Sequence, residues 1–487
     1  MRRLHIAAHK QRPSLHTQER LLASLLGALL VFLPWAFGTM HGWSQATAFV
    51  TALAALVIAL LPRRYDEATS GRGGFRLQMW PRLLRFPLFW LGAGLLVLLV
   101  VQGLNPAWQW VRDDKQWWMR QIDHVTWLPH GTQTPFERYN LWRTFLVYAT
   151  VWLSICALWV GITRRRTLQV LLGVLVANGT VLALVGFVHR MVGETKVLWI
   201  REFRDASSFS SFVYQNHAGS YFSLIAAVAL GLAIWHFYEG RRRMARSTPG
   251  PVWLLAVGVL VFAVLFSFSR GAVITLGAFV VGAGLAIFIL RSVNTVPSTT
   301  PRAVNVLLAL AFLTTLGFMV RYVDFSTLQQ RFHEMASLGV NESSVYARLQ
   351  ARDAAWVMLS DHWVLGTGAG SFRFLYPIYI KDNPYLYEGG RAFWEHAHID
   401  WLQIPIELGL TGVLLIAAGV GWCGWRWVKG RGWRHPVAVM LFLGCGQTLL
   451  HAAIDFPLQC PAILITWWVL LVAALRWQEL DGGTDRV

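Results

Sequence analysis

The chain has 487 residues, 55% of them apolar and only 14% charged, with a formal net charge of +18. A soluble chain of this length would divide into about three domains, but polar residues this sparse do not cover a water-soluble surface. The basic excess would suit nucleic acid through counterion release. Its cations, however, cluster in short loops between apolar blocks, the positive-inside pattern of a polytopic membrane protein, so no nucleic-acid partner is expected.

The N-terminus is basic, from Arg2 and Arg3 through Lys10 and Arg12. The first apolar run behind it is long enough to span and carries no small-residue cleavage site, so no cleaved signal peptide is expected. Apolar runs then fall at 21–38, 45–62, 87–104, 141–163, 167–187, 217–238, 251–268, 271–290, 304–320, 401–425, 436–453 and 461–476. Blocks of about 20 residues match a hydrocarbon core of ~30 Å. The predicted fold is an all-α membrane protein of about twelve transmembrane helices, with a large, partly helical periplasmic loop before the tenth.

Charge tests the orientation. The connections at 63–86, 164–166, 241–246, 291–302 and 426–434 are all basic, carrying among others Arg63, Arg82, Arg164, Arg241, Arg291 and Arg426. An even number of spans with both termini cytoplasmic accounts for all of them. The expected organisation is a cytoplasmic N-terminus over 1–20, nine helices over 21–320, a periplasmic loop carrying site residues over 321–400, three helices over 401–476 and a cytoplasmic tail over 477–487.

Three longer segments then face outward, 105–140, 188–216 and 321–400. The first holds Trp108, Trp110, Trp117, Trp118 and Trp127, and amphipathic indoles favour the headgroup zone, so it is expected to lie on the membrane. In the third, Ser343–Leu359 has helical spacing. Gly366-Thr367-Gly368-Ala369-Gly370 reads as a tight turn, because it follows no strand and lacks the Lys-Ser/Thr ending of a phosphate loop. Cys156, Cys423, Cys445 and Cys460 show no paired spacing and are expected to be buried small residues.

Ionisable residues at membrane depth need a reason, and four groups gather at the predicted outer ends. Arg270, in Ser269-Arg270-Gly271 between two apolar runs, is either a snorkelling residue or an anion clamp. Asn216 and His217 open a helix; Asn216 would cap it, and the helix start would favour an anion. The third group is Trp394-Glu395-His396-Ala397-His398-Ile399-Asp400, with Arg348 and Arg352 on the preceding helix. If extended, it would put His396, His398 and Asp400 on one face, for acid/base or substrate-binding work ahead of a metal site. Asp400 with Gln403 resembles a capping box, and Glu407 is expected to pair with an arginine such as Arg270. The fourth group is the His451–Pro461 turn with Asp455.

Outward cations with histidines suit an anionic substrate whose apolar tail lies in the bilayer, such as a polyprenyl-linked pyrophosphate sugar. Its cleavage needs a stabilised leaving pyrophosphate and a base for the attacking hydroxyl. The chain resembles the O-antigen ligase and polymerase family of bacterial envelope enzymes. The resemblance rests on Gly366–Phe372, His396-Ala397-His398-Ile399-Asp400-Trp401-Leu402-Gln403 and Glu407-Leu408-Gly409-Leu410-Thr411-Gly412. Ser269-Arg270-Gly271, Asn216-His217 and Asp455-Phe456-Pro457-Leu458-Gln459 support it. Ile399-Asp400 stands where many relatives have Asn-Asp or Asn-Tyr.

The resemblance implies metal-independent, inverting transfer of a glycan from undecaprenyl pyrophosphate to an acceptor hydroxyl, lipid A-core or similar, with no cofactor, at the periplasmic face of the inner membrane. It assigns His398 to the acceptor with His396 as fallback, and Arg270, Arg348, Asn216 and His217 to the pyrophosphate. Asp400, Glu407, Asp455 and Arg352 support them. The motifs do not separate a ligase from a polymerase that joins lipid-linked repeats. A polyprenyl-glycan transporter without chemistry is the reading from another class; it calls for polar groups along a path and internal repeats, and no repeat is evident.

Overall fold

A computed structural model describes residues 15–65, 75–114, 116–137, 139–193, 196–202, 208–293, 344–381, 386 and 394–482, with isolated residues between 310 and 317. The protein is a mostly helical integral membrane protein. Its apolar helices are α1 (Thr17–Trp35), α2 (Gly42–Leu60), α4 (Pro87–Leu104), α5 (Leu141–Gly161), α6 (Arg165–Val192), α7 (Gln215–Arg242), α8 (Gly250–Phe266), α9 (Arg270–Val293), α12 (Asp400–Lys429), α13 (Pro436–Ala452) and α14 (Pro461–Gly482). The segment before α12 adds α10 (Ser344–His362) and α11 (Phe372–Ile380), and α3 (Trp80–Leu84) lies in the loop before α4. Eleven of the predicted runs are therefore helices. The run at 304–320 and the loop residues 321–343 lie almost wholly outside the described residues. Nine described helices are long and apolar enough to cross a membrane, and α8 and α13 are shorter apolar helices.

Local signals set the helix ends. Asn140 caps α5 by accepting the Arg143 N–H at 3.0 Å, α4, α8 and α13 have proline in their first turn, and Gly193 ends α6 in the left-handed conformation. The apolar stretch of α7 is wholly buried, which makes it the central helix. Cys156, Cys423, Cys445 and Cys460 are buried free thiols.

Helix ends predicted to share a side bond to one another. At one end Glu19 receives Arg63 Nη1 at 2.8 Å and the N–H groups of Thr163 and Arg164 at 3.1 and 3.2 Å, while Arg426 and Arg476 converge on Glu479. At the other, Arg143 Nη2 donates to Met40 O at 2.6 Å, and Asn216 Nδ2 donates to Asp455.

The tryptophan-rich segment is more than a surface layer. It folds into a three-stranded sheet, β4 (Trp117–Gln121), β3 (Pro106–Arg112) and β5 (Gly131–Gln133) in spatial order, with Trp118 and Trp127 exposed. Two short hairpins, β1 (Arg63–Tyr65) with β2 (Phe75–Leu77) and β6 (Lys196–Val197) with β7 (Arg201–Glu202), complete the described strands.

Candidate functional site

The turn after α13 is the centre of the site. Ile454 and Asp455 donate their N–H groups back to His451 O at 3.0 and 2.9 Å, which aims the next residue, Phe456, at two other segments. The Phe456 ring stacks on His396 at 4.6 Å and on Tyr214 at 5.1 Å, and meets His398 and His217 edge-on at 4.7 and 5.0 Å. Three histidines from two distant stretches of the chain thus share one aromatic hub.

Two buried carboxylates fix this turn. Asp455 accepts its neighbour's N–H, from Phe456 at 2.9 Å, and the Asn216 amide. Asp400 accepts Leu458 N–H at 2.8 Å and Gln459 Nε2 at 3.1 Å. The expected capping box of Asp400 with Gln403 is therefore replaced by a bridge from Asp400 to the 457–459 turn; Ile399 is the N-cap residue, with no side-chain cap. Asn216, expected to cap α7, lies inside that helix's first turn and reaches across to Asp455 instead.

His396 and His398 stand in different settings. Gln403 Oε1 accepts the Ala397 N–H at 3.0 Å, so its NH₂ group faces both His396 Nδ1 at 3.2 Å and Glu407 Oε1 at 3.0 Å. His396 Nδ1 is then an acceptor and the ring proton sits on Nε2. Burial, followed by the charge of Arg373, holds its pKa well below the usual imidazole range. His398 adopts φ 55°, a left-handed backbone that a non-glycine residue rarely takes, so the stretch is not evenly extended. Its ring sits edge-on to Trp394 at 5.6 Å, and Nδ1 lies 3.9 Å from Asp455 Oδ1, an ion-pair separation and not a hydrogen bond. With Asp400 turned to the 457–459 turn and His396 Nδ1 committed to Gln403, the His-x-His-x-Asp stretch does not converge on a metal position. Among the described residues no group of three or more His, Cys, Asp or Glu side chains does so.

Glu407 does not take the expected arginine. Its carboxylate accepts Gly370 N–H at 2.9 Å, Phe372 N–H at 3.3 Å and the Gln403 amide. The glycine run is the tight turn predicted, with Gly366, Gly368 and Gly370 all at positive φ, but it is also a clasp. Helix α12 breaks at Gly409 (φ 64°), and the freed carbonyls of Ile406 and Glu407 accept Thr367 and Gly368 N–H, each at 2.9 Å.

The cations are dispersed. Arg270 is exposed at the start of α9, where Ser269 Oγ caps by accepting Ala272 N–H at 3.2 Å. This start borders the hub, since a Cβ on Gly271 would lie 2.8 Å from His451 Nε2. Arg352 lies on α10, its side chain 45% exposed and 3.9 Å from Asp353. Arg348 falls in the first turns of α10, where side chains are outside the described part. Two cations went unread in the sequence. Arg373, mostly buried and paired with Glu395, lies close enough to His396 to bear on its protonation; Arg190 covers the Phe268 ring at 4.6 Å beside the Arg270 hairpin. Neither has a motif signal, although a lone arginine beside an apolar run is the pattern that singled out Arg270.

Residues 254–417 match the family model described as O-antigen ligase. No curated protein matches the chain. The matched stretch runs from α8 through Arg270, the glycine clasp and both histidines to Glu407. Asn216, His217, Asp455 and Phe456 lie outside it, and the fold brings them to the histidines.

Proposed function

We propose that this chain, whose residues 254–417 match the O-antigen ligase family model, transfers a glycan from undecaprenyl pyrophosphate to an acceptor hydroxyl of lipid A-core or a similar glycolipid. The reaction takes place at the periplasmic face of the bacterial inner membrane, with both termini cytoplasmic. The observation that carries this reading is His398, held between Trp394 and Phe456 with Nδ1 toward Asp455. Asp455 favours the proton on Nδ1 and leaves Nε2 as a base for the acceptor hydroxyl.

As that proton leaves, the hydroxyl oxygen attacks the anomeric carbon and the C1–O bond to the pyrophosphate breaks on the opposite face, inverting the anomeric centre. No metal is required in this scheme, because the charge developing on the leaving pyrophosphate is met by Arg270, Arg348 and the starts of α7 and α9. His396, with its Nδ1 lone pair engaged, serves as a donor or wall in preference to a base, and Arg373 adds positive potential.

The test is turnover by the purified protein in a bilayer with a glycan-loaded undecaprenyl pyrophosphate and a lipid A-core acceptor. Stoichiometric release of undecaprenyl pyrophosphate with the glycan on the acceptor supports the reading. Movement of the donor across vesicles without its cleavage would establish the transporter reading. In a deletion strain, accumulated long lipid-linked chains mark a ligase, and accumulated single repeats mark a polymerase.

A further inference from the structure

His451, in the last turn of α13, is 1% exposed, and neither ring nitrogen has a hydrogen-bond partner among the described residues. A buried polar ring left so is costly unless it has work to do. Its Nε2 presses on the first turn of α9, where glycine alone admits it, a Cβ on Gly271 falling 2.8 Å away. Helix α9 is 24 residues long, and first-turn N–H groups have no acceptor within their own helix. Beside it begins α7, whose Gly219 packs so closely that a Cβ there would come within 2.6 Å of Ala272 Cβ and 3.0 Å of Ser269 Cβ. Two helix N-termini, each the positive end of a dipole, therefore lie side by side with Arg270 on one rim and an uncommitted imidazole beneath.

We propose that His451 is a further donor-side residue, its Nε2–H donating to a phosphate oxygen of the polyprenyl pyrophosphate seated at the starts of α7 and α9. The proposal rests on the function argued above and adds a group outside the residues that the family match covers. An imidazole N–H suits this place because it supplies a donor without placing a further fixed cation beside Arg270. It also distinguishes the pyrophosphate, which presents several acceptor oxygens, from the uncharged end of a polyprenol.

The experiment measures binding of undecaprenyl pyrophosphate, and separately of undecaprenol, to the full chain in nanodiscs, for the wild type, His451→Leu and His451→Gln. Melting temperature is recorded for each. His451→Leu is expected to melt at or above the wild type, since it removes an unpartnered buried polar group, yet to bind undecaprenyl pyrophosphate about tenfold or more weakly. Undecaprenol binding stays unchanged, and His451→Gln, which keeps an N–H near the Nε2 position, retains most of the affinity. A His451→Leu variant that binds undecaprenyl pyrophosphate like the wild type overturns the inference and leaves the proposed function standing. A wild type that binds undecaprenyl pyrophosphate no better than undecaprenol removes the donor site itself.

Discussion

Gly370 donates its backbone N–H to Glu407 Oε2 across 2.9 Å, and through that bond a glycine turn and a membrane helix hold each other in place. The second carboxylate oxygen takes Phe372 N–H and the Gln403 amide, and Gln403 in turn orients His396. Glu407→Ala strips partners from two backbone N–H groups and one amide in a buried setting. The expected loss of stability is about 2–4 kcal/mol, with glycan transfer falling alongside it. Glu407→Gln keeps an acceptor and loses less. Thermal melts of the two purified variants against wild type check the order.

His398 and Asp455 give the prediction that bears on chemistry. His398→Ala is expected to lower kcat/KM about 10²–10⁴-fold, the usual worth of a positioned base, at unchanged membrane abundance. Asp455→Asn keeps the contact with Asn216 but loses the charge that favours Nδ1 protonation, so it lowers kcat more than it raises KM. Steady-state kinetics on the lipid-linked donor separate the two effects. Full activity of His398→Ala would remove this residue from the mechanism.

The apolar runs were legible because a bilayer dictates a block length that few other structures demand, and the helix ends because basic loops mark alternate sides. What was not legible is what depends on contacts across the chain. Asp400 meets Leu458, Gly370 meets Glu407, and Asn216 meets Asp455 at a separation of 239 residues. Locally, Asp400 and Gln403 do look like a capping box, Asn216 like a cap and Glu407 like an arginine's partner. In the fold each carboxylate instead accepts N–H groups of a turn distant in the chain. The sheet over 106–133 was hidden for a related reason: its strands are short and tryptophan-rich, which suits the membrane interface equally well.

Acid should loosen the segments outside the apolar helices before it touches the bundle. His130 lies among His124 and His362, with ring centroids 5.2 and 6.3 Å away. Burial, then these two neighbours, lowers its pKa from 6.5 to about 4. Between those values the unfolded chain binds the proton and the folded chain does not, so the stability is complete above 6.5 and drains away as pH falls toward 4. His396, also depressed by burial, acts with the same sign. Melting temperature is expected to fall over this window, and less steeply in His130→Gln.

The last prediction concerns the opposite end of the bundle, where Glu19 and Arg63 are both fully buried and 2.8 Å apart. Glu19 also receives Thr163 and Arg164 N–H and the Thr167 hydroxyl at 2.9 Å, so it joins α1, α2, α5 and α6. Glu19→Ala leaves a buried guanidinium without its counter-charge, and the expected cost is about 3–5 kcal/mol. Glu19→Leu with Arg63→Met removes both charges and should recover part of that loss, because neither ion then has to be desolvated alone. The double variant should bind undecaprenyl pyrophosphate as the wild type does, since the pair is remote from the histidines. A melt of the three proteins, with binding measured on the double variant, separates a structural staple from any part in the histidine site. Equal melting of Glu19→Ala and wild type would show that the pair holds nothing together.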